Sequence, residues 1–412
     1  MPKSNQKSKK ISRNIYMDYA SSALFSSPNP SAIHAFGMKE KLRLENARKK
    51  VADILKAHSD EIIFTSGATE GNNLAILGLV YAKQKQSFLN RSGMSKAQPL
   101  IPKLSPALHI VTTNIEHASV LETCRYLEKT RQATVTYVPA EENGIVDPKK
   151  IKKSLKKNTV LVSVMYANNE IGTIQPIKEI AKEIRHFKKT ITSNLEHKTY
   201  PIFHTDATQA INYLPIQMPQ LGVDMMSFNA AKIYGPKGVG ALYVKKLTPI
   251  TKIIFGGDQE RGLRAGTENV EGAVALAAAL DIAEKMKEKE VKRLAKLRDY
   301  FLNKISKIAP DIKINGDLRN RLPNNINITI PNIPSDLLVI ELSTKGIMAS
   351  AKSACKSGDG KASHVISAID PSIQETDGSI RFSLGRETTK TEIDHVIKAL
   401  SEILLKLKRW YN

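Results

Sequence analysis

The sequence predicts an α/β protein in which a large, mostly parallel sheet is covered by helices on both faces. From residue 61 to about 245, short apolar, β-branched runs alternate with helical patterns, as in parallel sheets with helical crossovers. At 412 residues the chain exceeds the size at which one core stops growing, so we expect two domains. Beyond about residue 275 the pattern changes to a smaller α+β arrangement.

Each element follows from its local pattern. The predicted strands are short runs of aliphatic and β-branched residues at 61–67, 109–114, 134–140, 159–167, 201–207, 224–230 and 238–244. Helical periodicity lies between several of them, at 70–83, 118–130, 147–157 and 176–189. One long helix over 266–305 precedes the smaller part, which closes with an amphipathic helix over 390–412. The polar segments 84–107 and 190–200 are predicted to be surface loops.

Composition excludes several classes of protein. The chain has only two cysteines, so neither a disulfide framework nor a cysteine metal cluster is possible, and a reducing cytoplasm is expected. No apolar run is long enough to span a bilayer. The net charge of +22 comes from lysines spread along the whole chain, which favours a solvated surface over a nucleic-acid site.

Four loops at predicted strand ends hold residues that together indicate one cofactor. Ala68 and Thr69 open a helix after a strand, where backbone N–H groups suit a phosphate, although a plain turn has the same composition. Asp206 ends an apolar strand and needs a partner there, with helix capping as the alternative. Lys232 follows another apolar strand, and a buried lysine readily forms an imine. His117 lies at a further strand-to-helix turn, where capping is again the alternative.

An acid, an imine-forming lysine, a phosphate cradle and an imidazole fit pyridoxal 5′-phosphate, because the acid keeps the pyridine nitrogen protonated so that the ring can absorb electrons. The sequence moreover resembles the cysteine desulfurases of the NifS/IscS type, which are fold-type I pyridoxal phosphate transferases. The motifs that carry this resemblance occur in the family's order and read TSGATEGNNLAI, EHASVLETC, VMYANNEIGTIQPI, HTDATQA, KIYGPKGVGALYV, GGDQERGLRAGTENV, SACKS and IRFSLGRETT.

The resemblance implies a role for each matching residue. Lys232 is the expected Schiff-base lysine, Asp206 the partner of the pyridinium, and His117 the ring-stacking residue that can also shuttle protons. The other implied contacts are Asn169 and Gln209 at the ring hydroxyl, Ala68, Thr69 and Asn229 at the phosphate, Arg381 and Asn169 at the substrate, and Thr267 at the phosphate of a neighbouring subunit. The contact by Thr267 implies a homodimer.

Cys355, in the stretch SAKSACKSGDG, falls on the family's nucleophile. The implied reaction begins when L-cysteine displaces Lys232 from the cofactor and Lys232 removes the Cα proton. The Cys355 thiolate then attacks the substrate sulfur, which leaves an enzyme persulfide and releases alanine. Lys352 and Lys356 flank Cys355 and would favour the thiolate, with an untuned, solvated loop as the alternative. Cys124 lies on a predicted helix and is expected to serve packing.

The resemblance also implies an organisation and a set of partners. Residues 1–14 are expected to form a disordered basic tail, 34–275 the large cofactor-binding domain, and 15–33 with 276–412 a small domain that carries the cysteine loop. The expected partners are L-cysteine, a second copy of the chain, and a sulfur-acceptor protein of iron–sulfur cluster assembly or tRNA thiolation. Neither a membrane nor direct nucleic-acid binding is expected.

The chain departs from the family at three places. The family has Ser and His shortly before the lysine, whereas this chain has Asn229 and Ala231, and a lost hydrogen bond to a charged group costs about 1.5–3 kcal/mol. Weaker cofactor binding with activity kept and a degenerate enzyme are both open outcomes. Lys352 replaces a glycine of the family, and the N-terminal region is shorter.

Three alternatives to the desulfurase remain at this point. They are a selenocysteine lyase, another fold-type I activity such as aminotransfer, and a non-catalytic scaffold on a degenerate desulfurase fold. A decayed site would have no reason to keep all five of the residues Lys232, Asp206, His117, Arg381 and Cys355, which favours an enzyme.

Overall fold

A computed structural model of the chain describes residues 17–18, 20, 28–92, 108–190, 200–351, 363–374 and 376–411. In this part of the chain the strands form one seven-stranded sheet and one three-stranded sheet. The predicted α/β class with a large, mostly parallel sheet is therefore confirmed.

All seven predicted strands of the large sheet are present. Their bounds are β1 (Ile62–Thr65), β2 (Leu108–Thr113), β3 (Ala133–Val138), β4 (Thr159–Ser163), β5 (Ile202–Asp206), β6 (Met225–Asn229) and β7 (Gly240–Val244). They lie in the order β1-β7-β6-β5-β4-β2-β3. Strand β7 runs antiparallel to both of its neighbours, and the other strands run in one direction, so their carboxyl ends share one edge.

Helices cover this sheet, and those at 68–92, 118–129, 148–154 and 177–190 agree with the predicted periodicity, whereas those at 35–55 and 218–221 have no counterpart among the predictions. The helices are α1 (Ala35–Leu55), α2 (Ala68–Ser92), α3 (Ala118–Lys129), α4 (Pro148–Ser154), α5 (Ile177–Thr190) and the single turn α6 (Met218–Leu221). The predicted loop over 84–107 is wrong in its first part, because α2 continues to Ser92. The remainder, 93–107, lies outside the described residues, as does most of the predicted loop over 190–200.

The apolar residues of the strands alternate between two clusters. On β1, Ile62 belongs to the larger cluster and Ile63 to the smaller one, and on β5 Phe203 and Ile202 divide in the same way. Successive strand side chains point to opposite faces, so the two clusters cover the two sides of the sheet. A sheet that is buried on both faces is rigid, which suits it to hold a site at its edge.

A second, antiparallel sheet follows the long helix α7 (Val270–Ile308). Its strands β8 (Lys313–Ile314), β9 (Asn325–Ile330) and β10 (Gly378–Ser383) lie in the order β10-β9-β8. The helices of this part are α8 (Ser335–Thr344), α9 (His364–Ile369) and α10 (Lys390–Tyr411). Helix α7 runs without a break through residue 275, and the domain boundary placed there stays a prediction.

Helices able to cross a bilayer are absent from the residues that the structure describes, since none combines the required length with sufficient apolar character.

Candidate active site

A cavity of about 500 Å³ lies where the parallel strands of the large sheet end and the small sheet begins. Nine of the residues that the sequence singles out line it: Ala68, Thr69, His117, Asn169, Asp206, Gln209, Asn229, Lys232 and Arg381. They come from loops after β1, β2, β4, β5 and β6, together with β10. Thr267 is exposed and is not among the residues that line this cavity.

Asp206, the last residue of β5, is buried and lines this cavity. Its Oδ2 accepts a hydrogen bond of 2.7 Å from the amide Nδ2 of Asn72, and its Oδ1 accepts one of 2.9 Å from the backbone N–H of Thr208. Each oxygen of this buried carboxyl group therefore has a hydrogen-bond donor, as a buried polar group needs. The arrangement leaves an anionic oxygen pair available to a cationic ring nitrogen.

His117 caps helix α3 and also lines the cavity. Its Nδ1 lies 3.1 Å from the backbone N–H of Ser119, which donates to it, and 2.9 Å from the Ser119 Oγ. The capping role that the sequence suggested is therefore present together with the position in the cavity. Holding one ring nitrogen fixes the orientation of the imidazole.

Lys232 lies on a turn of 3₁₀-helix, Ala230–Lys232, directly after β6. Asn229 caps this turn, because its Oδ1 accepts a 3.1 Å hydrogen bond from the backbone N–H of Lys232. The expectation of a buried lysine is wrong: the residue lines the cavity but is exposed, since the turn lies beyond the end of the strand. Its amine is reachable from the mouth of the cavity.

The N-terminus of α2 faces the same cavity through Ala68 and Thr69. The turn before it packs closely on β7, where a Cβ added to Gly240 would lie 2.6 Å from the carbonyl oxygen of Phe228 and 2.7 Å from the Cα of Gly67. Only glycine permits this approach. The first N–H groups of a helix have no partner within the helix, so this end suits an anion.

Arg381 lies on β10 of the small sheet, and its cationic side chain lines the cavity. Its Nη1 donates a 2.9 Å hydrogen bond to the backbone carbonyl of Asn169, and its buried Nε has no hydrogen-bond partner among the described residues. Burial lowers the pKa of Arg381 from its ordinary value, and the carboxylate of Glu170 opposes this effect. An unpaired N–H on a guanidinium is suited to a carboxylate ligand.

Cys355, Lys352 and Lys356 lie outside the described residues, but both ends of their segment are anchored. On one side Ser350 pairs with Arg381 through two backbone hydrogen bonds. On the other side the Ser363 hydroxyl donates to the buried carboxylate of Glu170. Both anchors are next to residues that line the cavity.

Sequence reasoning missed several residues around the cavity. They are Ser119, Met165, Ala167, Thr208, Tyr213, Tyr234, Leu322, Asn324, Asn325, Ser383 and Leu384, whereas Ala231, which the sequence marks as a departure from the family, also lines the cavity. Thr208 and Asn324 each hold a buried oxygen without a partner among the described residues. Thr208 is two positions after Asp206, a spacing that indicates a side chain on the same turn, whereas nothing local predicts the approach of Asn324 from the small sheet.

The chain is similar to known proteins over nearly its whole length. It matches the aminotransferase class-V family over residues 9–92 and 94–396. It is 41% identical to "Cysteine desulfurase IscS" of Dictyoglomus turgidum, with 97% of this chain and 96% of the relative covered. A solved "NifS-like protein" superposes with a TM-score of 0.77 at 35% identity and 91% coverage of both chains. The structure "SspA in complex with cysteine" has a TM-score of 0.68 at 31% identity, with 88% of this chain and 92% of that chain covered.

Proposed function

Because the chain belongs to the class-V aminotransferase family and to its cysteine desulfurases, we propose that its cavity binds pyridoxal 5′-phosphate and L-cysteine. It is an enzyme that removes the sulfur of L-cysteine and leaves L-alanine. The similarities do not favour a selenocysteine lyase, an aminotransferase or a scaffold. The observation that supports the proposed site best is that Lys232, Asp206 and Arg381, from separate elements, line one cavity.

The residues of the cavity fit the cofactor. An amine, a carboxylate, an imidazole and a helix N-terminus are all present, and the hydroxyl of Thr208 is buried without a partner among the described residues. At Ala231, by contrast, the donor that the resemblance implies for the phosphate is missing. When bound, pyridoxal phosphate supplies an electron sink for the bonds of the substrate Cα.

Each residue then has a defined task. Asp206 would hold the pyridine nitrogen, Lys232 the aldehyde carbon, and His117 the face of the ring. The remaining contacts are assigned to Ala68, Thr69 and Asn229 at the phosphate, and to Asn169 and Gln209 at the ring hydroxyl. The distribution of charge supports this orientation: among the described residues that line the cavity Asp206 is the only acid, and the helix N-terminus is a separate part of the lining.

Arg381 and Lys232 would act on the substrate itself. The free Nε of Arg381 and its neighbouring amino group offer the paired donors that bind a carboxylate bidentately and fix its orientation. The amine of Lys232, once released, takes the proton from the substrate Cα as a general base. Its exposed position at the mouth of the cavity allows the substrate to reach it.

Cys355 would receive the sulfur. It is five residues from Ser350, so the covalent chain allows its Cα to travel at most about 17 Å from the anchor next to Arg381. The thiolate attacks the substrate sulfur, and a sulfur–sulfur bond forms as the carbon–sulfur bond breaks. The electron pair of the broken bond stays with the substrate carbon, which is then protonated and leaves as alanine.

The quaternary and cellular context is also a proposal. Thr267 is exposed and lies away from the cavity of its own chain, which supports a contact with the cofactor phosphate of a second subunit. We assign the persulfide to a sulfur-acceptor protein of iron–sulfur cluster assembly or tRNA thiolation in the cytoplasm. The division into a large domain over 34–275 and a small domain over 15–33 with 276–412 belongs to the same proposal.

The test is to incubate the purified chain with pyridoxal phosphate and L-cysteine and to measure alanine, sulfide and the visible absorbance of the bound cofactor. Lys232→Ala should abolish both alanine and the absorbance band. Lys237→Ala is the matched control, because Lys237 is an exposed lysine that is absent from the cavity lining, and it should behave as the wild type. A yellow wild-type protein that produces no alanine would contradict the proposal.

A further inference from the structure

Asn72, on the second turn of α2, is a fully buried amide that is not among the residues lining the cavity. Its Nδ2 donates hydrogen bonds of 2.7 Å to the Asp206 Oδ2 and of 2.8 Å to the Ser119 Oγ. Its Oδ1 has no partner among the described residues. The amide cannot be turned over, since its oxygen would then face the carboxylate of Asp206. Both N–H groups of the Asn72 side chain are therefore engaged in hydrogen bonds.

The hydroxyl of Ser119 connects Asn72 to His117 by a second hydrogen bond. Because its Oγ accepts from Asn72, the hydroxyl proton of Ser119 is free to point at the Nδ1 of His117, 2.9 Å away. The backbone N–H of Ser119 points at the same nitrogen from 3.1 Å. An imidazole nitrogen that faces two donors presents its lone pair, so the neutral ring carries its proton on Nε2.

We propose that Asn72 is a positioning residue that joins the Asp206 carboxylate and the His117 imidazole into one hydrogen-bonded unit. The inference rests on the proposed function, in which these two side chains hold the ring of the cofactor. Asn72 fixes the plane of the carboxylate through the Asp206 Oδ2, and through the Ser119 Oγ it orients the second donor that faces the His117 Nδ1, beside the backbone N–H of Ser119. The other ring nitrogen of His117, Nε2, then carries a proton that it can donate to a group in the cavity.

The direct test measures the ¹⁵N resonances of His117 in the full chain without cofactor, with histidine selectively labelled and the signal assigned from a His117→Gln variant. Asn72→Leu keeps the size of the side chain and removes both donors. It should shift the His117 Nδ1 resonance and, in titrations with pyridoxal phosphate, raise the dissociation constant about tenfold or more. Ser119→Ala, which removes one of the two donors at that nitrogen, should shift the same resonance.

Asn315 supplies a matched control. Its buried amide donates 2.7 and 2.8 Å hydrogen bonds to the Asn327 Oδ1 and the Thr329 Oγ1 in the small sheet, and its Oδ1 also has no partner among the described residues. Asn315→Leu should lower stability as Asn72→Leu does, but leave the resonance and the dissociation constant unchanged.

An unchanged His117 resonance in Asn72→Leu would overturn the proposal. If that variant does not fold, an unchanged resonance in Ser119→Ala would overturn it equally. The resonance is measured without cofactor. A wild-type chain that fails to bind pyridoxal phosphate would therefore contradict the proposed function, whereas the resonance still tests the link between Asn72 and His117.

Discussion

Ser350 and Arg381 form an isolated antiparallel bridge at the edge of the small sheet: Arg381 N–H donates to the Ser350 carbonyl at 2.8 Å, and Ser350 N–H donates to the Arg381 carbonyl at 3.2 Å. The residue proposed to hold the substrate carboxylate is thus bonded to the start of the segment that contains Cys355. Because the pairing uses backbone groups, it is independent of the side chain at position 381. Substitutions of that side chain therefore change substrate binding without releasing the segment.

We predict that Arg381→Lys raises KM for L-cysteine about tenfold to a hundredfold. A lysine keeps the charge but loses the planar pair of donors, and a hydrogen bond to a charged group contributes about 1.5–3 kcal/mol. Steady-state kinetics of alanine release provide the measurement. Arg319→Lys, at an exposed arginine outside the cavity lining, is the control that should leave KM unchanged. An unaltered KM in Arg381→Lys would place the substrate carboxylate elsewhere.

Ala231→His should strengthen cofactor binding. Ala231 lines the cavity but offers no side-chain donor, whereas an imidazole there can donate to a phosphate. We expect the dissociation constant for pyridoxal phosphate to fall about tenfold or more, measured by absorbance titration. Ala231→Leu adds bulk without a donor and should not tighten binding. Equal constants in all three proteins would show that the phosphate does not approach position 231.

A buried ion pair outside the cavity lining should contribute strongly to stability. Arg48 donates to both carboxylate oxygens of Glu260, at 2.7 and 2.8 Å, and each side chain is at most 3% exposed. Glu260 also accepts from the backbone N–H of Phe64 on β1. Arg48→Ala leaves a buried carboxylate without its counter-charge, which should lower the free energy of unfolding by about 3–5 kcal/mol in urea denaturation.

The exposed ion pair of Lys49 and Asp53 on the same helix is the comparison for Arg48. Asp53→Ala should change the free energy of unfolding by less than about 1 kcal/mol. Similar losses in Arg48→Ala and Asp53→Ala would mean that burial does not decide the strength of the pair.

The pH dependence of stability should report on Glu116. Burial raises the pKa of Glu116 from 4.5 to about 8. Hydrogen bonds from the backbone N–H of Met165 and the hydroxyl of Thr113 lower this pKa, but by less than burial raises it. Between these values the folded chain holds a proton that the unfolded chain lacks, so stability falls as pH rises. Burial lowers the pKa of His109 and His204 from 6.5 to about 4, which makes stability rise with pH only below about 6.5.

The window from pH 6.5 to 8 therefore isolates Glu116. We expect the Tm of the wild type to fall across it and that of Glu116→Gln, which is neutral throughout, to fall less. Glu142→Gln, at an exposed glutamate, should follow the wild type. Parallel Tm curves for the wild type and Glu116→Gln would mean that Glu116 is ionised in the folded chain.

The large sheet could be predicted from the sequence because its strands are short, largely apolar runs with a helix or a turn on either side. Asp206, His117 and Lys232 could be placed near one another for the same reason, since parallel strands end at one edge. The exposure of Lys232 could not be predicted, because it depends on a 3₁₀ turn that Asn229 caps. The approach of Asn324 and the link through Asn72 depend on packing between distant parts of the chain, which local patterns do not contain.

The central claim is that the sulfur of L-cysteine passes to Cys355. The most direct measurement is mass spectrometry of the cofactor-loaded chain after one turnover with L-cysteine in the absence of reductant. We predict one added sulfur atom on the peptide that contains Cys355, none in Cys355→Ser, and no change in Cys124→Ser, because Cys124 is buried and its burial raises the pKa of its thiol. Alanine formed by Cys355→Ser at the wild-type rate, or sulfur found on another residue, would contradict the claim.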